Sequence, residues 1–235
     1  MSATLENLLR DARTDLVFSR IEKDPTVIDE VIKLVDSEIR SIRFNSIYVL
    51  GEIGKKASEK GVLKIANYLN DNDWSIRREA ARSLGKIGPL AGSVINELTK
   101  LTKDPELSVK GAAIIAIGKI GVANAEVLKS LRAALQDDNE EIRAQAAESL
   151  GMLGSDAFEA ISDLTSALHD PHWEVRTNAA RAISQIGKET VKAIPALINA
   201  LGDDDWRVRF RVMETLAQIG EPAIPHLLKI LKNKN

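Results

Sequence analysis

Six glycines recur at a nearly constant interval along the chain. The first interval is 34 residues and the next four are 33 residues, and the set is Gly54, Gly88, Gly121, Gly154, Gly187 and Gly220. A basic residue preceded by Ile or Val stands 11 residues before each glycine, at Arg43, Arg77, Lys110, Arg143, Arg176 and Arg209. A fixed period of this size predicts a solenoid, in which each repeat packs on its neighbours.

Composition narrows the classes of function. The 235 residues include 32 basic and 34 acidic ones, for a net charge of −2, so the chain has no general attraction for nucleic acid. It has no cysteine, which excludes disulfides, thiolate metal sites and a cysteine nucleophile. The first residues include Glu6, Arg10 and Asp11 rather than an apolar signal core, and no apolar run approaches the roughly 18 residues of a membrane span. We therefore expect a soluble, cytoplasmic protein without a membrane segment.

The repeat at 71–101 shows how one unit folds. Asp71, Asn72 and Asp73 offer an N-cap, and an apolar stripe follows at Ile76, Ala80, Leu84 and Ile87. Gly88 ends this helix, because a glycine after the last turn adopts the left-handed cap. A second stripe at Val94, Leu98 and Leu101 predicts a partner helix. The unit is a helical hairpin, and we call the first helix of each hairpin the motif helix.

The whole chain is predicted to be an all-α, right-handed solenoid with about 14 helices in antiparallel pairs. We divide it into N-terminal capping helices at 1–35, with one helix at 4–22 and one at 26–35. Six repeats follow at 36–220, and a C-terminal capping helix at 221–235 is expected to be helical over 222–233. These segments should form one continuous domain, and we expect a monomer.

Two further periodic features concern packing between repeats. Small residues stand three positions before the timed glycines and predict close helix contacts, at Gly51, Gly85, Gly118, Gly151, Ser184 and Ala217. Aspartates precede the basic residue by six positions in five repeats, at Asp71, Asp104, Asp137, Asp170 and Asp203, and Ser37 takes this place in the first. We expect each aspartate to cap its own helix while the arginine reaches a neighbouring loop.

These motifs resemble a known family. The pattern Asp-x-x-x-x-(Val/Ile)-Arg-x-x-Ala-Ala-x-x-Leu-Gly-x-Ile-Gly is similar to the HEAT-like repeats of the phycobilisome-lyase type. Residues 71–88 and 137–154 match it closely, 170–187 has Ser184 for the inner glycine, and 203–220 departs at the Ala-Ala site. The resemblance covers about 36–233. It implies a helical solenoid whose motif helices line a concave surface, and its matching residues are structural.

The resemblance also indicates where a partner would bind. Counting the basic residue of each pair as zero, positions −3, −2, +1, +2, +5 and +9 point away from the core and toward that concave surface. Six of the nine aromatic residues occupy such positions, and aromatic residues and arginine often anchor interfaces. The candidate partner-binding residues are Phe44, Tyr48, Trp74, Arg78, Arg82, Ile115, Trp173, Arg181, Trp206, Arg207, Phe210 and Arg211. Alternatively, the tryptophans cover the boundary between repeats.

No catalytic, metal or cofactor site is predicted. His169 and His172 flank Asp170, but that aspartate belongs to the periodic series and no further ligand converges on it. Glu140 and Glu141 lie in an acidic helix start that the helix dipole favours. The chain has no phosphate-binding glycine loop and no nucleophile–base motif.

Three functions stay open at this point. The first is a non-enzymatic scaffold that binds a protein partner in the concave groove, centred on repeats five and six and reaching toward Trp74 and Tyr48. The second, which follows from the family name, is a bilin lyase-like or phycobilisome-associated factor. The third is nucleic-acid binding through basic residues of the same surface, although Glu140, Glu141 and Glu148 interrupt that basic track.

Overall fold

The structure, a computed structural model, describes residues 3–233 except for the side chains of 188–189 and 230–233. Within these residues it contains 15 α-helices and no strand, which confirms the all-α prediction. Residues 1–2 and 234–235 of the predicted capping segments lie outside the described residues. Among the described helices, none combines the length and the apolar character that crossing a bilayer requires. The handedness of the superhelix stays a prediction.

The chain forms two compact units, and the first is Met1–Gly121. Its motif helices α4, α6 and α8 pack on one another in order, and α5 and α7 pack against α6 and α8. The helices of this unit are α1 (Leu5–Arg10), α2 (Thr14–Lys23), α3 (Val27–Leu34), α4 (Arg40–Glu52), α5 (Ser58–Ala66), α6 (Trp74–Ile87), α7 (Ile95–Lys100) and α8 (Leu107–Ile120).

The second unit is Val122–Asn235. Its motif helices α10, α12 and α14 again pack in order. Helices α9, α11 and α13 pack against α10, α12 and α14 respectively, and α15 packs against α13. The helices of this unit are α9 (Ala125–Ala134), α10 (Glu140–Met152), α11 (Ile161–Ala167), α12 (Trp173–Ile186), α13 (Ile194–Ala200), α14 (Trp206–Ile219) and α15 (Ile224–Asn233).

Helix α6 shows why the motif helices form where they do. The Asp73 side chain caps it by accepting from the Ser75 backbone N–H at 2.9 Å. Its core stripe is buried, with Ile76, Ala80 and Leu84 at 0 % exposure. The helix ends at Gly88, where φ is +75° and ψ is −141°. This conformation is open to glycine but is not the left-handed helical cap that we expected, which Gly121 adopts at the end of α8. All six timed glycines have positive φ, and each lies within two residues of the end of a motif helix, as the period predicts.

The small residues before the timed glycines do allow close approach. A Cβ atom built on Gly85 would lie 2.8 Å from the backbone Cα of Ala116, on the next motif helix. In the second unit, a Cβ on Gly151 would lie 3.0 Å from the Cα of Ala182. Such distances are below normal carbon–carbon contact, so consecutive motif helices touch through their backbones at these points. The prediction of close packing is confirmed.

The aspartate–arginine series joins neighbouring repeats, but not through the caps we expected. The Arg143 guanidinium donates from Nε and Nη2 to both carboxylate oxygens of Asp170, at 2.7 and 3.0 Å, and from Nη1 to the carbonyl of Asp137 at 2.8 Å. The same arrangement joins Arg77 to Asp104 and Arg176 to Asp203. Each arginine therefore pairs with the aspartate of the following repeat, 27 residues on.

The aspartates themselves sit one turn before the helix. Asp170 accepts from the backbone N–H of His172 at 2.8 Å and does not cap α12. True caps stand two residues after these aspartates, as Asp73, Asn139 and Asp205. The expectation that the periodic aspartates cap their own helices was wrong, because a side chain turned toward the preceding repeat's guanidinium accepts only from the loop.

The N-terminal segment also differs from the prediction. The single helix expected over 4–22 is divided into α1 and α2, with a break at Asp11 to Arg13. Ala12 has a φ of +56° in this break. The apolar spacing predicts helical character on both sides of the break, but it cannot detect a left-handed alanine that is held by the surrounding fold.

Candidate partner-binding surface

One side of each motif helix faces the next motif helix. Positions −3, +1, +4 and +8 share this side, because residues four, seven and eleven apart lie on one stripe of an α-helix. At position +4, Ala147 and Ala180 are fully buried. At position +1, the carbonyl of Ala144 accepts from the Asn178 side-chain amide of the following helix at 3.1 Å. We call this side the stacking stripe.

Trp173 lies at the start of the stacking stripe of α12 and is covered by the following repeat. The guanidinium carbon of Arg207 stands 3.4 Å from the centroid of the Trp173 ring. The Trp173 side chain is only partly exposed. This placement agrees with the alternative in which the tryptophan covers the boundary between repeats. The residue that the structure stacks on the Trp173 ring is Arg207 of the next motif helix.

Arg207 is held in place by the cap of its own helix. Asp205 accepts from the Arg207 backbone N–H at 2.8 Å, from Nε at 3.0 Å and from Nη2 at 2.6 Å. The hydrogen bonds from the Arg207 side chain are the largest cause that lowers the pKa of Asp205 to about 2. The carboxylate therefore stays ionised at all ordinary pH values, and it fixes the guanidinium plane over Trp173.

Helix α14 presents its own stacking stripe to solvent. Trp206 is 65 % exposed, Phe210 is 51 % exposed and Met213 is 52 % exposed. Ala217 is exposed as well. The opposite side of the same helix carries Val208 and Val212 into the core at 0 % exposure. This helix therefore has two apolar sides, of which only one is covered in the part of the chain that the structure describes.

The other predicted residues of the second unit differ in their pairing. The Arg181 side chain is exposed and makes no hydrogen bond or ion pair among the described residues. Arg211 pairs with Glu214 at 2.7 Å on its own helix. Both lie beside the stacking stripe, and a partner bound to Trp206 and Phe210 would meet Arg211 on the same helix.

In the first unit, aromatic and basic candidates form in-chain contacts along α4 and α6. Arg78 stands over the ring of Trp74 at 5.4 Å, and Trp74 is 44 % exposed. Tyr48 makes an edge contact with Phe18, with ring centroids 6.3 Å apart. Phe44 and Ile115 are partly exposed, and Arg82 is exposed. The predicted set is therefore divided between the units, and Phe44, Tyr48, Trp74, Arg78, Arg82 and Ile115 belong to the first.

Glu79 is a buried carboxylate in the same region. It is 2 % exposed and pairs with Arg82 at 3.2 Å. Burial raises the pKa of Glu79, and the positive charges of Arg82, Arg78 and Lys86 only partly oppose this effect. The carboxylate is thus an electrostatic cost to the folded state at neutral pH.

We predict that Glu79→Gln raises the free energy of unfolding at neutral pH. A raised folded-state pKa means that the folded protein favours the protonated carboxyl, so ionisation above that pKa destabilises the parent chain and leaves the glutamine variant unchanged. Urea unfolding between pH 4 and 8 would measure the difference, which should narrow as the pH falls. A variant that is less stable at neutral pH would show that the Arg82 pair outweighs the burial.

Two residues of this surface, Met213 and Glu79, were not predicted from the sequence. Met213 stands at position +4, which is a small or β-branched residue in the other repeats, at Ile47, Ala81, Ile114, Ala147 and Ala180. The larger side chain at this place in the sixth repeat was the available signal. Glu79 carries no such signal, since neighbouring repeats have polar or small residues at its position and nothing in the pattern shows its burial.

The family model described as HEAT repeats matches residues 62–151, 128–193 and 161–235, which together span most of the chain. This protein belongs to the HEAT-repeat family. The match supports a HEAT-like repeat and does not single out the phycobilisome-lyase type that the sequence motif resembles. No curated protein matches the sequence.

Solved structures with the same fold are solenoids of this kind. An engineered protein superposes with a TM-score of 0.65 at 22 % identity, over 83 % of this chain and 97 % of its own. A designed armadillo repeat protein in complex with the peptide (KR)4 gives 0.67 at 20 % identity, over 81 % and 98 %. A Kap121p mutant gives 0.65 at 15 % identity, over 86 % of this chain and 24 % of its own. The HEAT-repeat protein is thus an all-α solenoid.

Proposed function

We propose that this HEAT-repeat protein is a non-enzymatic scaffold that binds a protein partner, with the contact centred on α12 and α14. The observation that carries the proposal is the apolar stripe of Trp206, Phe210 and Met213, each of which is at least half exposed. Exposed large aromatic residues on a rigid helix, with arginines beside them, have the composition of an interface hot spot.

The pairing of the basic residues supports a protein partner over nucleic acid. Phosphate binding requires cations that are free to replace counterions. Five of the eight basic residues on the predicted track are already paired with carboxylates, as Arg40–Asp73, Arg82–Glu79, Lys86–Glu52, Arg207–Asp205 and Arg211–Glu214. A bilin lyase-like role rests on the resemblance of the repeat alone.

A neighbouring fold offers a parallel for the proposal. The designed armadillo protein was solved with a bound peptide, so a helical-repeat solenoid of similar size can serve as a peptide-binding surface. At 20 % identity this likeness extends only to the fold. The proposal therefore rests on the exposed residues of this chain.

We predict that Trp206→Ala combined with Phe210→Ala weakens binding of the native partner by at least about 2 kcal/mol. The test captures partners from the source cell lysate with the parent and variant chains and identifies them by mass spectrometry. Affinity for the recovered partner is then measured with purified proteins. Circular dichroism should show unchanged helicity, because both side chains are largely in solvent.

A matched control uses apolar residues of similar exposure outside the motif helices. Phe158, in a connecting 3-10 helix, is 53 % exposed, and Leu63, in α5, is 56 % exposed. Their double alanine variant should retain the partner. Normal binding by the Trp206 and Phe210 variant would refute the proposed surface, and equal losses in both variants would indicate nonspecific hydrophobic capture.

A further inference from the structure

We propose that the partner contributes an α-helix that packs on α14 as a further repeat would, with an arginine of that helix stacked on Trp206. This inference rests on the proposed function and names the chemistry of the partner. It follows from comparing α14 with α12, whose equivalent side is occupied within the chain.

The chain shows what the stacking stripe binds. The stripe of α10 is covered by α12, and the stripe of α12 is covered by α14. Each cover is an α-helix that approaches closely enough for side-chain-to-carbonyl hydrogen bonds. Thr215 of α14 donates to the carbonyl of Ala180 at 2.9 Å, as Asn178 of α12 donates to that of Ala144 at 3.1 Å. The solvent-exposed stripe on α14 is the same surface in the same register, so a helix is the element that fits it.

The first turn of the covering helix supplies an arginine. On α12, the ring of Trp173 is covered by Arg207, which is the second residue of α14 and is fixed by the cap carboxylate of Asp205. Trp206 stands 33 residues after Trp173, at the same position of the next repeat. A helix that continues the stack would therefore place its second residue over the Trp206 ring.

The contact made by Trp74 also indicates a guanidinium as the ligand of a tryptophan ring in this chain. Trp74 also carries a guanidinium over its ring, supplied by Arg78 at 5.4 Å. Two of the three tryptophans thus have an arginine of the chain on one face. In the described part of the chain, no cation lies over Trp206, which is also the most exposed of the large apolar side chains. A planar guanidinium stacks on indole better than the compact ammonium of lysine.

Charge on the second unit agrees with a cationic helix start. The side chains of Glu140, Glu148 and Glu174 form no hydrogen bond or ion pair among the described residues. In the described part of α12 and α14, Arg181 and Arg209 are the arginines that have no carboxylate partner. The hydrogen bonds to Asp205 are the largest cause that raises the pKa of Arg207, and the negative charge of Glu174 adds to this effect. These carboxylates favour an arginine-bearing partner and disfavour a phosphate backbone.

The test uses stapled helical peptides and the full chain. The probe is an end-blocked helix with an aspartate N-cap, arginine at the second helical position and alanines along the facing side. Matched probes replace the arginine by lysine or by uncharged citrulline, or place a proline in mid-helix. Affinities are measured by calorimetry and by tryptophan fluorescence. We expect the arginine helix to bind most tightly, and Trp206→Ala to weaken it about tenfold or more.

Arg207→Ala provides a second variant with the opposite expectation. Removing this side chain uncovers the Trp173 ring and deletes a positive charge, so the arginine helix should bind at least as tightly as to the parent chain. Phe158→Ala should leave the affinity unchanged. A general loss of structure would instead weaken binding of the arginine helix by both the Arg207→Ala and the Phe158→Ala variants. These variants therefore distinguish unfolding from loss of the proposed contact.

Several results would overturn the proposal. These are equal affinities for the arginine and citrulline helices, unchanged binding by Trp206→Ala, loss of helicity in that variant, or tighter binding of single-stranded RNA than of the arginine helix. Self-association of the parent chain through the same residues, seen by analytical ultracentrifugation, would also overturn the proposal. The surface would then bind a second copy of this chain and not a partner helix. If the peptides show no arginine preference while Trp206→Ala with Phe210→Ala still loses the native partner, only this inference fails. If that double variant keeps its partner, the proposed function fails.

Discussion

Gly85→Ala should lower the free energy of unfolding by at least about 2 kcal/mol. The added Cβ would lie 2.8 Å from both the Cα and the Cβ of Ala116 on the next motif helix. Since one of these atoms is backbone, no rotamer change can relieve the overlap, and α6 and α8 must move apart. This cost exceeds the gain of about 1 kcal/mol that alanine brings to a helix interior.

Gly61→Ala is the matched control for this substitution. Gly61 also lies within a helix, but its new Cβ would meet Ala57 and Ile32 side-chain atoms at 3.5 to 3.7 Å, which is ordinary contact. We expect this variant to be as stable as the parent or more stable, by up to about 1 kcal/mol. Urea unfolding of the two variants measures the contrast. If Gly85→Ala unfolds at the same urea concentration as the parent, the motif helices are not in backbone contact.

Arg143→Ala should destabilise the chain by about 1–3 kcal/mol without affecting partner binding. The guanidinium is 14 % exposed, and its partner Asp170 is 10 % exposed. Removing it leaves a mostly buried carboxylate and two backbone carbonyls without their donor. The carboxylate that depends on Arg143 is that of Asp170, in the following repeat.

The pH dependence identifies the ion pair as the cause. Burial raises the pKa of Asp170, but the hydrogen bonds from Arg143 and from the His172 backbone N–H outweigh it, so the pKa lies below its ordinary value. A lowered pKa contributes stability that is present above about pH 4 and is lost as the pH falls through the folded-state value. The difference between parent and Arg143→Ala should therefore shrink in acid.

Arg132→Ala serves as the control for Arg143→Ala. Arg132 also pairs with an aspartate of the second unit, Asp163 at 2.6 Å, but its side chain is 40 % exposed. Its loss should cost less than about 1 kcal/mol, because water replaces the partner of an exposed pair. If both variants lose the same stability, burial does not distinguish the periodic pairs from ordinary surface pairs.

Much of the fold could be predicted from the sequence because it repeats. Gly88 marks a helix end by itself only weakly, but five further glycines at the same phase leave one interpretation. The core stripe of Ile76, Ala80 and Leu84 likewise follows from spacing, because helical geometry is fixed by 3.6 residues per turn. The pairing of Arg143 with a neighbouring loop was predicted for the same reason.

The candidate surface was harder to predict. Spacing gives the direction of a side chain around its own helix, but it does not give the rotation between consecutive helices. For that reason, Trp173 was placed on the concave side, although its ring is covered by Arg207 at the boundary between repeats. The break at Ala12 was missed because it depends on packing rather than on local preference. Whether the twelve candidate residues contact a partner stays a prediction.

The aspartate–arginine pairs also bear on how the chain could change its length. Each full repeat of this kind carries both an acceptor for the arginine before it and a donor for the aspartate after it, separated along the chain by 27 residues from one repeat to the next. A duplicated repeat would therefore find a partner on either side, and deletion of a whole repeat would rejoin the two that remain. An insertion of part of a repeat would leave one charge of each sign buried and unmatched. Whole-repeat gain and loss is thus the route by which such an array can be lengthened or shortened without loss of its core.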